Sequence, residues 1–332
     1  MLHRSMIRTV TPLLLIGALA TVTACGASGA SSSGNAASGH KTIGVSVPTV
    51  EGPFFTAMLY GITDEAKKAG YDVTILSAGG YGNVDTQVSQ IQTLISKKVD
   101  ILMVDPADPN ATAAPIAQAV SAGITVIGAG DPAPGSQGYA AAGHCDVGKA
   151  LAVGAKKLLP NGGDIGALTG PAGAFWSTER LRCFKQDIAG SNIKIVAEQA
   201  TDPAVAIGLS TATDFLQRFP KLSLIYGADD TVGDGAAQAV QAANKCGTTL
   251  VLTAVYGEQA QQLMQSKCIN YDVALQPTLI GRQSVQLAVT LKSGQKPAQT
   301  DINVPVVAIT PDNMNSVDIN AIRAPQGWKP AV

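Results

Sequence analysis

From Lys41 onward the chain alternates short apolar β-rich runs with longer helical stretches, and this alternation limits the fold more than any other feature. In the first half the runs are TIGVSV (42–47), YDVTIL (71–76), DILMV (100–104) and ITVIG (124–128). Each is nearly continuous in apolar character, the mark of parallel strands buried on both faces. Helical patterns occupy Phe54 to Ala69, Asp85 to Lys97 and Asn110 to Ala122, and Gly70 and Gly123 stand where a left-handed residue ends a helix. The strand-to-strand spacing is roughly 25–30 residues, the size of a βαβ unit. The same pattern then repeats. Strands are predicted at 164–168, 193–197, 222–226, 249–256 and 269–275, and helices at 146–159, 177–189, 204–219, 231–245, 258–266 and 277–292. The predicted fold class is α/β, with two Rossmann-like lobes of parallel sheet covered by helices on both faces. Ligands of such sheets bind beyond the carboxyl ends of the strands.

The first 40 residues do not belong to that pattern. Arg4 and Arg8 precede an apolar run from Val10 to Ala20, followed by Val22-Thr23-Ala24-Cys25 and Gly26. A basic start, a short apolar stretch and small residues at a cleavage point read as a secretory signal over residues 1–25. The cysteine makes the segment resemble a bacterial lipobox, which implies that Cys25 is lipidated and becomes the mature N-terminus. Residues 26–40 are almost entirely Gly, Ala and Ser and cannot bury a core. Such a tether has a root-mean-square reach of roughly 20 Å. The expected location is outside the cytoplasmic membrane, anchored to its outer face or in a periplasm.

A formal net charge of −1 gives no electrostatic footprint for nucleic acid, so no nucleic-acid partner is expected. Beyond Cys25 lie Cys145, Cys183, Cys246 and Cys268. In an exported chain four cysteines suggest disulfides with three possible pairings, of which Cys145–Cys183 with Cys246–Cys268 is the one expected. Without a C-x-x-C pair, and with His144 the sole histidine after residue 40, no metal site is expected.

The opening TIGVSVPTVEGPFFTAMLYGITDEAKKAGYDVTIL (42–76) resembles that of periplasmic binding proteins of the ribose-binding type, the type I family. The resemblance continues through VDILMVDPADPNA (99–111), AGITVIGAGD (122–131), STERLRCF (177–184), YGADDTVGDGAAQAV (226–240) and VALQPTLIGRQSV (273–285). Within the family, SAGGYGNVDTQVSQI (77–91), LTGPAGA (168–174) and Tyr256 resemble the branch containing the periplasmic partner of the trimethylamine-N-oxide sensor kinase. The resemblance implies two lobes joined by a hinge of several crossings. Residues 41–144 with about 277–306 form the N-terminal lobe, and 145–276 with about 307–320 the C-terminal lobe.

The resemblance also implies a ligand site between the lobes. Phe54 and Phe55, in the turn after the first strand, can stack on the apolar face of a small ligand. Asp105 and Asp131 follow the third and fourth strands and can accept hydroxyl donors. Ribose-type sites carry Asp-Arg at the second of these, where this chain has Asp131-Pro132, so a pentose fit is in doubt. Arg180 matches the cleft arginine, and its planar fork suits adjacent hydroxyls or a carboxylate. Trp176 precedes it and can close over a ligand, while Ser177 or Thr178 is expected to cap that helix. Asp229 is expected to contact ligand and Asp230 to cap the helix that follows. Tyr256 stands in place of a family aspartate, and Gln276 matches a glutamine that reaches ligand. Gly143 to Lys149 has phosphate-loop spacing, but Ala150 replaces the magnesium-binding hydroxyl. It reads instead as a lobe crossing that enters a helix capped by Asp146, with His144 structural.

No constellation of residues supports catalysis, and neither enzyme activity nor a cofactor is expected. The resemblance implies a monomeric solute-binding lipoprotein that closes on a small polar ligand, most simply a sugar or polyol. The closed form is then delivered to the membrane permease subunits of an ABC importer. The alternative is a sensor that presents its closed state to a histidine kinase.

Overall fold

The computed structural model describes residues 41–332. The signal segment, Cys25 and the tether to residue 40 lie outside the described residues. In chain order the elements are β1 (Lys41–Val47), α1 (Gly52–Lys68), β2 (Tyr71–Ser77), α2 (Val84–Ser96), β3 (Ile101–Val104), α3 (Pro109–Ser121), β4 (Thr125–Gly130) and β5 (Tyr139–Ala142). There follow α4 (His144–Leu158), β6 (Gly163–Leu168), α5 (Phe175–Ile188), β7 (Ile193–Gln199), α6 (Val205–Arg218), β8 (Leu224–Gly227), α7 (Asp230–Ala242), β9 (Leu250–Ala254), α8 (Glu258–Gln265) and β10 (Tyr271–Ala274). The chain ends with α9 (Pro277–Lys292), β11 (Asp301–Val304), β12 (Val307–Ile309) and α10 (Ile319–Ile322).

Two six-stranded sheets result, in the orders β11-β5-β4-β3-β1-β2 and β12-β10-β9-β8-β6-β7. The first is parallel throughout. The second is parallel except for β12, which runs antiparallel to β10. The apolar runs account for this order: Ile43, Val45, Val47 and Met103 in one sheet and Ile165, Leu224 and Leu252 in the other are fully buried. Strands so covered need helices on both faces. In each sheet the strand order reverses around the first strand, β1 or β6, which opens a crevice at the carboxyl ends of that strand and its neighbours. The backbone passes between the sheets three times, at 143, 275–276 and 305–306.

Local chemistry sets the helix starts. Asp108 caps α3 by accepting from the backbone N–H groups of Asn110 (2.8 Å) and Ala111 (3.1 Å). Asp229, not Asp230, caps α7: its Oδ1 accepts from Val232 N–H at 3.0 Å, and Asp230 is already the first helical residue. The helix after Trp176 was expected to begin at Ser177 or Thr178, but α5 starts two residues earlier. Both hydroxyls donate backward, Ser177 to the carbonyls of Pro171 and Ala174 and Thr178 to that of Ala174, so neither caps. Likewise α4 begins at His144, and Asp146 lies in its first turn, accepting from Asn303 Nδ2 at 3.1 Å.

Three short strands lie outside the strands predicted from the sequence. β5 is Tyr-Ala-Ala-Ala, poor in strand formers, and β11 and β12 are four and three residues long with Pro305 between them. Each forms because a neighbouring strand offers it a ladder.

Disulfides join Cys145 to Cys183 and Cys246 to Cys268. The first ties the start of α4 to α5. The two helices also touch backbone to backbone, since a Cβ on Gly148 would collide with the carbonyl of Arg180.

Candidate ligand-binding site

The strand ends of both sheets converge on one cavity between the lobes. Phe54, Phe55, Asp105, Asp131, Trp176, Arg180 and Asp229 all line it. The first four come from the β1-side sheet and the other three from the β6-side sheet. The two lobes meet at its rim, where a Cβ on Gly257 would lie 2.8 Å from the Pro53 ring.

Pro53 lies in the first turn of α1, where its missing N–H costs nothing, and the two phenylalanines follow on that turn. Phe54 and Phe55 meet edge to face with centroids 5.4 Å apart. Tyr81, beyond the carboxyl end of β2, lies 6.5 Å from Phe55 and 6.2 Å from Trp176. These rings form an aromatic belt that runs from one lobe to the other. The guanidinium of Arg180 stacks on Trp176 at 4.7 Å.

Asp105 is held by its backbone. Its N–H donates to the Ser46 carbonyl, and its own carbonyl accepts from Gln87 Nε2 at 2.7 Å. Gln87 is fully buried and also accepts from Ala107 N–H, so the loop is clamped while the carboxylate faces the cavity. Asp105 Oδ1 has no protein partner. Gly130 makes room for Asp105: at φ +99° a Cβ there would stand 2.9 Å from Asp105 Oδ2. Burial, followed by the charge of Asp131 and a hydrogen bond to it, pushes the Asp105 carboxyl well above the usual carboxylate range. Asp131 is also bonded to His144 Nε2, a contact that joins the two lobes.

Arg180 donates from Nη1 to the Ala228 carbonyl at 2.7 Å, and its Nε has no partner. Burial lowers its pKa, with Tyr226, Asp229 and Asp131 opposing. Asp229 uses Oδ1 for the cap and for the Thr231 hydroxyl (2.7 Å), which leaves its second oxygen for a ligand. Thr253 donates to the Asp229 carbonyl at 2.6 Å and fixes the loop.

Two expected contacts lie elsewhere. Tyr256 is fully buried, its hydroxyl 3.4 Å from the Met314 carbonyl and its ring 4.9 Å beneath the Arg323 guanidinium. Val255 and Tyr256 both take positive φ (95° and 65°). That turn brings Val255 to the cavity and sends the tyrosine into the core. Gln276 donates to the Pro305 carbonyl at 2.8 Å and so links two lobe crossings instead of reaching the cavity.

The lining also holds residues beyond those expected to contact ligand, among them Tyr81, Asp230 and His144. Tyr81 and Asp230 follow strand ends, so the carboxyl-end rule was a signal for both. His144 shows no such signal. It enters the site only because the first crossing carries α4 up to Asp131. Among the described residues no group of three or more His, Cys, Asp or Glu side chains could hold a metal ion, and no helix is long and apolar enough to cross a membrane.

Comparison with known proteins agrees with this geometry. Residues 43–296 match the periplasmic binding protein domain family. The chain is 29% identical over 269 residues to the ribose import binding protein RbsB of Bacillus subtilis, covering 80% of this chain and 86% of the relative. It is 30% identical over 263 residues to the D-allose-binding periplasmic protein of Escherichia coli, covering 76% of this chain and 85% of that one. A solute-binding protein of an ABC transporter from Burkholderia graminis, solved in complex with D-arabinose, superposes with a TM-score of 0.78 at 26% identity, covering 83% of this chain and 97% of that one. These relatives are binding proteins, not enzymes. With two switch-point lobes closed on one cavity, and with a match across most of its length, this chain belongs to the periplasmic binding protein family.

Proposed function

We propose that this protein is the solute receptor of an ABC importer, binding a sugar or polyol between its lobes and handing it to a membrane permease. The observation that carries this is the cavity itself. An aromatic belt suits the apolar faces of a polyhydroxylated ring, while Asp105, Asp131, Asp229 and Arg180 supply acceptors and donors for its hydroxyls. Relatives that bind ribose, allose and, in a solved complex, arabinose support this class of ligand. Closure follows from the construction: each lobe carries half of the site, so a ligand touching both favours the closed state. Export and a lipid anchor at Cys25 complete the proposal, since a tether keeps a receptor close to its permease.

A thermal-shift screen tests it, with a panel of pentoses, hexoses, polyols, nucleosides and trimethylamine N-oxide. A ligand at 100 times its Kd adds about 2.7 kcal/mol of stability. A saturable rise with a sugar or polyol, lost in Arg180→Ala, is expected. A response to trimethylamine N-oxide alone would move the function to sensing.

A further inference from the structure

The charges around the cavity do not balance. Asp105, Asp131, Asp229 and Asp230 are all buried within it, at 2%, 3%, 7% and 2% exposure. Arg180 is the sole permanently cationic side chain in the lining, and the residue after Asp131 is Pro132. Among the described residues Arg180 forms no ion pair: its Nη1 is bound to a carbonyl and its planar face to Trp176. His144 is engaged with Asp131. Asp105 Oδ1, His144 Nδ1 and Arg180 Nε are buried without a partner. Buried carboxylates need a cation or a proton, and the Asp105 and Asp131 carboxyls lie within hydrogen-bond reach of each other.

We infer, on the basis of the receptor function proposed above, that the ligand is a polyhydroxylated ammonium compound, an aminosugar or amino-polyol, whose cationic nitrogen sits at the Asp105–Asp131 pair. A neutral hydroxyl can donate one hydrogen bond there but leaves the charge uncompensated, whereas an ammonium brings three donors and a unit charge. The belt of Phe54, Phe55 and Tyr81 beside the pair favours the same species, since ring faces attract cations once water is excluded. At the other side of the cavity Arg180 can only donate, so the ligand turns hydroxyl oxygens toward it. The groups facing the pair are Tyr81 from the loop after β2, His144 from α4, Arg180 from α5 and Asp229 from the loop after β8. Burial favours a proton on the Asp105 carboxyl, and when the ammonium binds that proton passes to the buffer.

The test uses a matched pair of probes on the full-length protein. Tris, (HOCH2)3C–NH3+, and pentaerythritol, (HOCH2)4C, differ chiefly in the cation. D-glucosamine, D-glucose and N-acetyl-D-glucosamine, with the galactose equivalents, extend the pair to rings. Titration calorimetry at pH 7 is run in two buffers of different ionisation enthalpy. The amine member of each set is expected to bind at least tenfold more tightly than its neutral counterparts, and with proton release. Asp105→Asn and Asp131→Asn, tested singly because each keeps the shape of the side chain, are expected to cut that preference to within about twofold. Equal or tighter binding of the neutral members overturns the inference and leaves the sugar-receptor function standing. An amine preference that survives both substitutions also overturns it. Failure of every amine and every neutral probe overturns both.

Discussion

Gly130→Ala separates the backbone requirement at the strand end from the binding role of Asp105. Gly130 closes β4 at φ +99°, a conformation that costs a residue with a Cβ on the order of 1–2 kcal/mol. Removing glycine's freedom from the unfolded chain offsets about 0.4–1 kcal/mol. The net loss is about 1 kcal/mol, which for a body of this size lowers Tm by about 2–4 °C. The new methyl meets Asp105 Oδ2 at 2.9 Å and Met58 Sδ at 3.1 Å. The carboxylate is the far end of a side chain and yields by rotating away from the ligand. One charge-assisted hydrogen bond is then lost, about 1.5–3 kcal/mol, or roughly a 10- to 150-fold rise in Kd. Scanning calorimetry of the ligand-free variant reads the first quantity. Titration with the tightest sugar, polyol or amino-polyol bound by the wild type reads the second. A lowered Tm with wild-type affinity would refute the placement of Asp105 in the site. An unchanged Tm would refute the strain at Gly130.

Three further outcomes are expected. Replacing Cys145 and Cys183 by serine should cost about 2–5 kcal/mol and weaken ligand binding, because that bridge holds the helix of His144 to the helix of Arg180; the Cys246/Cys268 double variant should lose stability alone. Arg323 donates to the carbonyls of Tyr256 and Gly257 and so holds the positive-φ turn that aims Val255 at the cavity. Arg323→Ala should therefore lower stability by about 2–4 kcal/mol and raise Kd severalfold, as read by chemical denaturation and calorimetry. Asp234 and Asp272 are pushed up to about 8, chiefly by burial. Unfolded, they titrate near about 4, so between about 4 and about 8 the native state keeps protons that the unfolded chain releases. Stability should fall as pH rises through that window, and Asp272→Asn should flatten the fall in melts recorded from acid to alkaline pH.

Much of this protein is legible along the chain. Apolar runs such as Ile43–Val47 and Leu224–Gly227 specify buried parallel strands, because a strand covered on both faces has no polar side to show. Residues directly after those strands, Asp105, Asp131 and Asp229 among them, were readable as site candidates for the same reason. What the chain could not show alone is how separate loops meet. β5, β11 and β12 are too short or too poor in strand formers to declare themselves, and they exist because a neighbouring strand supplies their hydrogen bonds. The family resemblance places Tyr256 at the ligand, yet two successive positive-φ residues turn it into the core. His144 and Asp131 stand on different lobes, and only the packing of those lobes makes them partners. Local pattern reports what each segment buries, since burial follows from side-chain periodicity. The charge balance of the cleft depends on which segments come within a few ångströms of one another, and only the packing of the two lobes sets that.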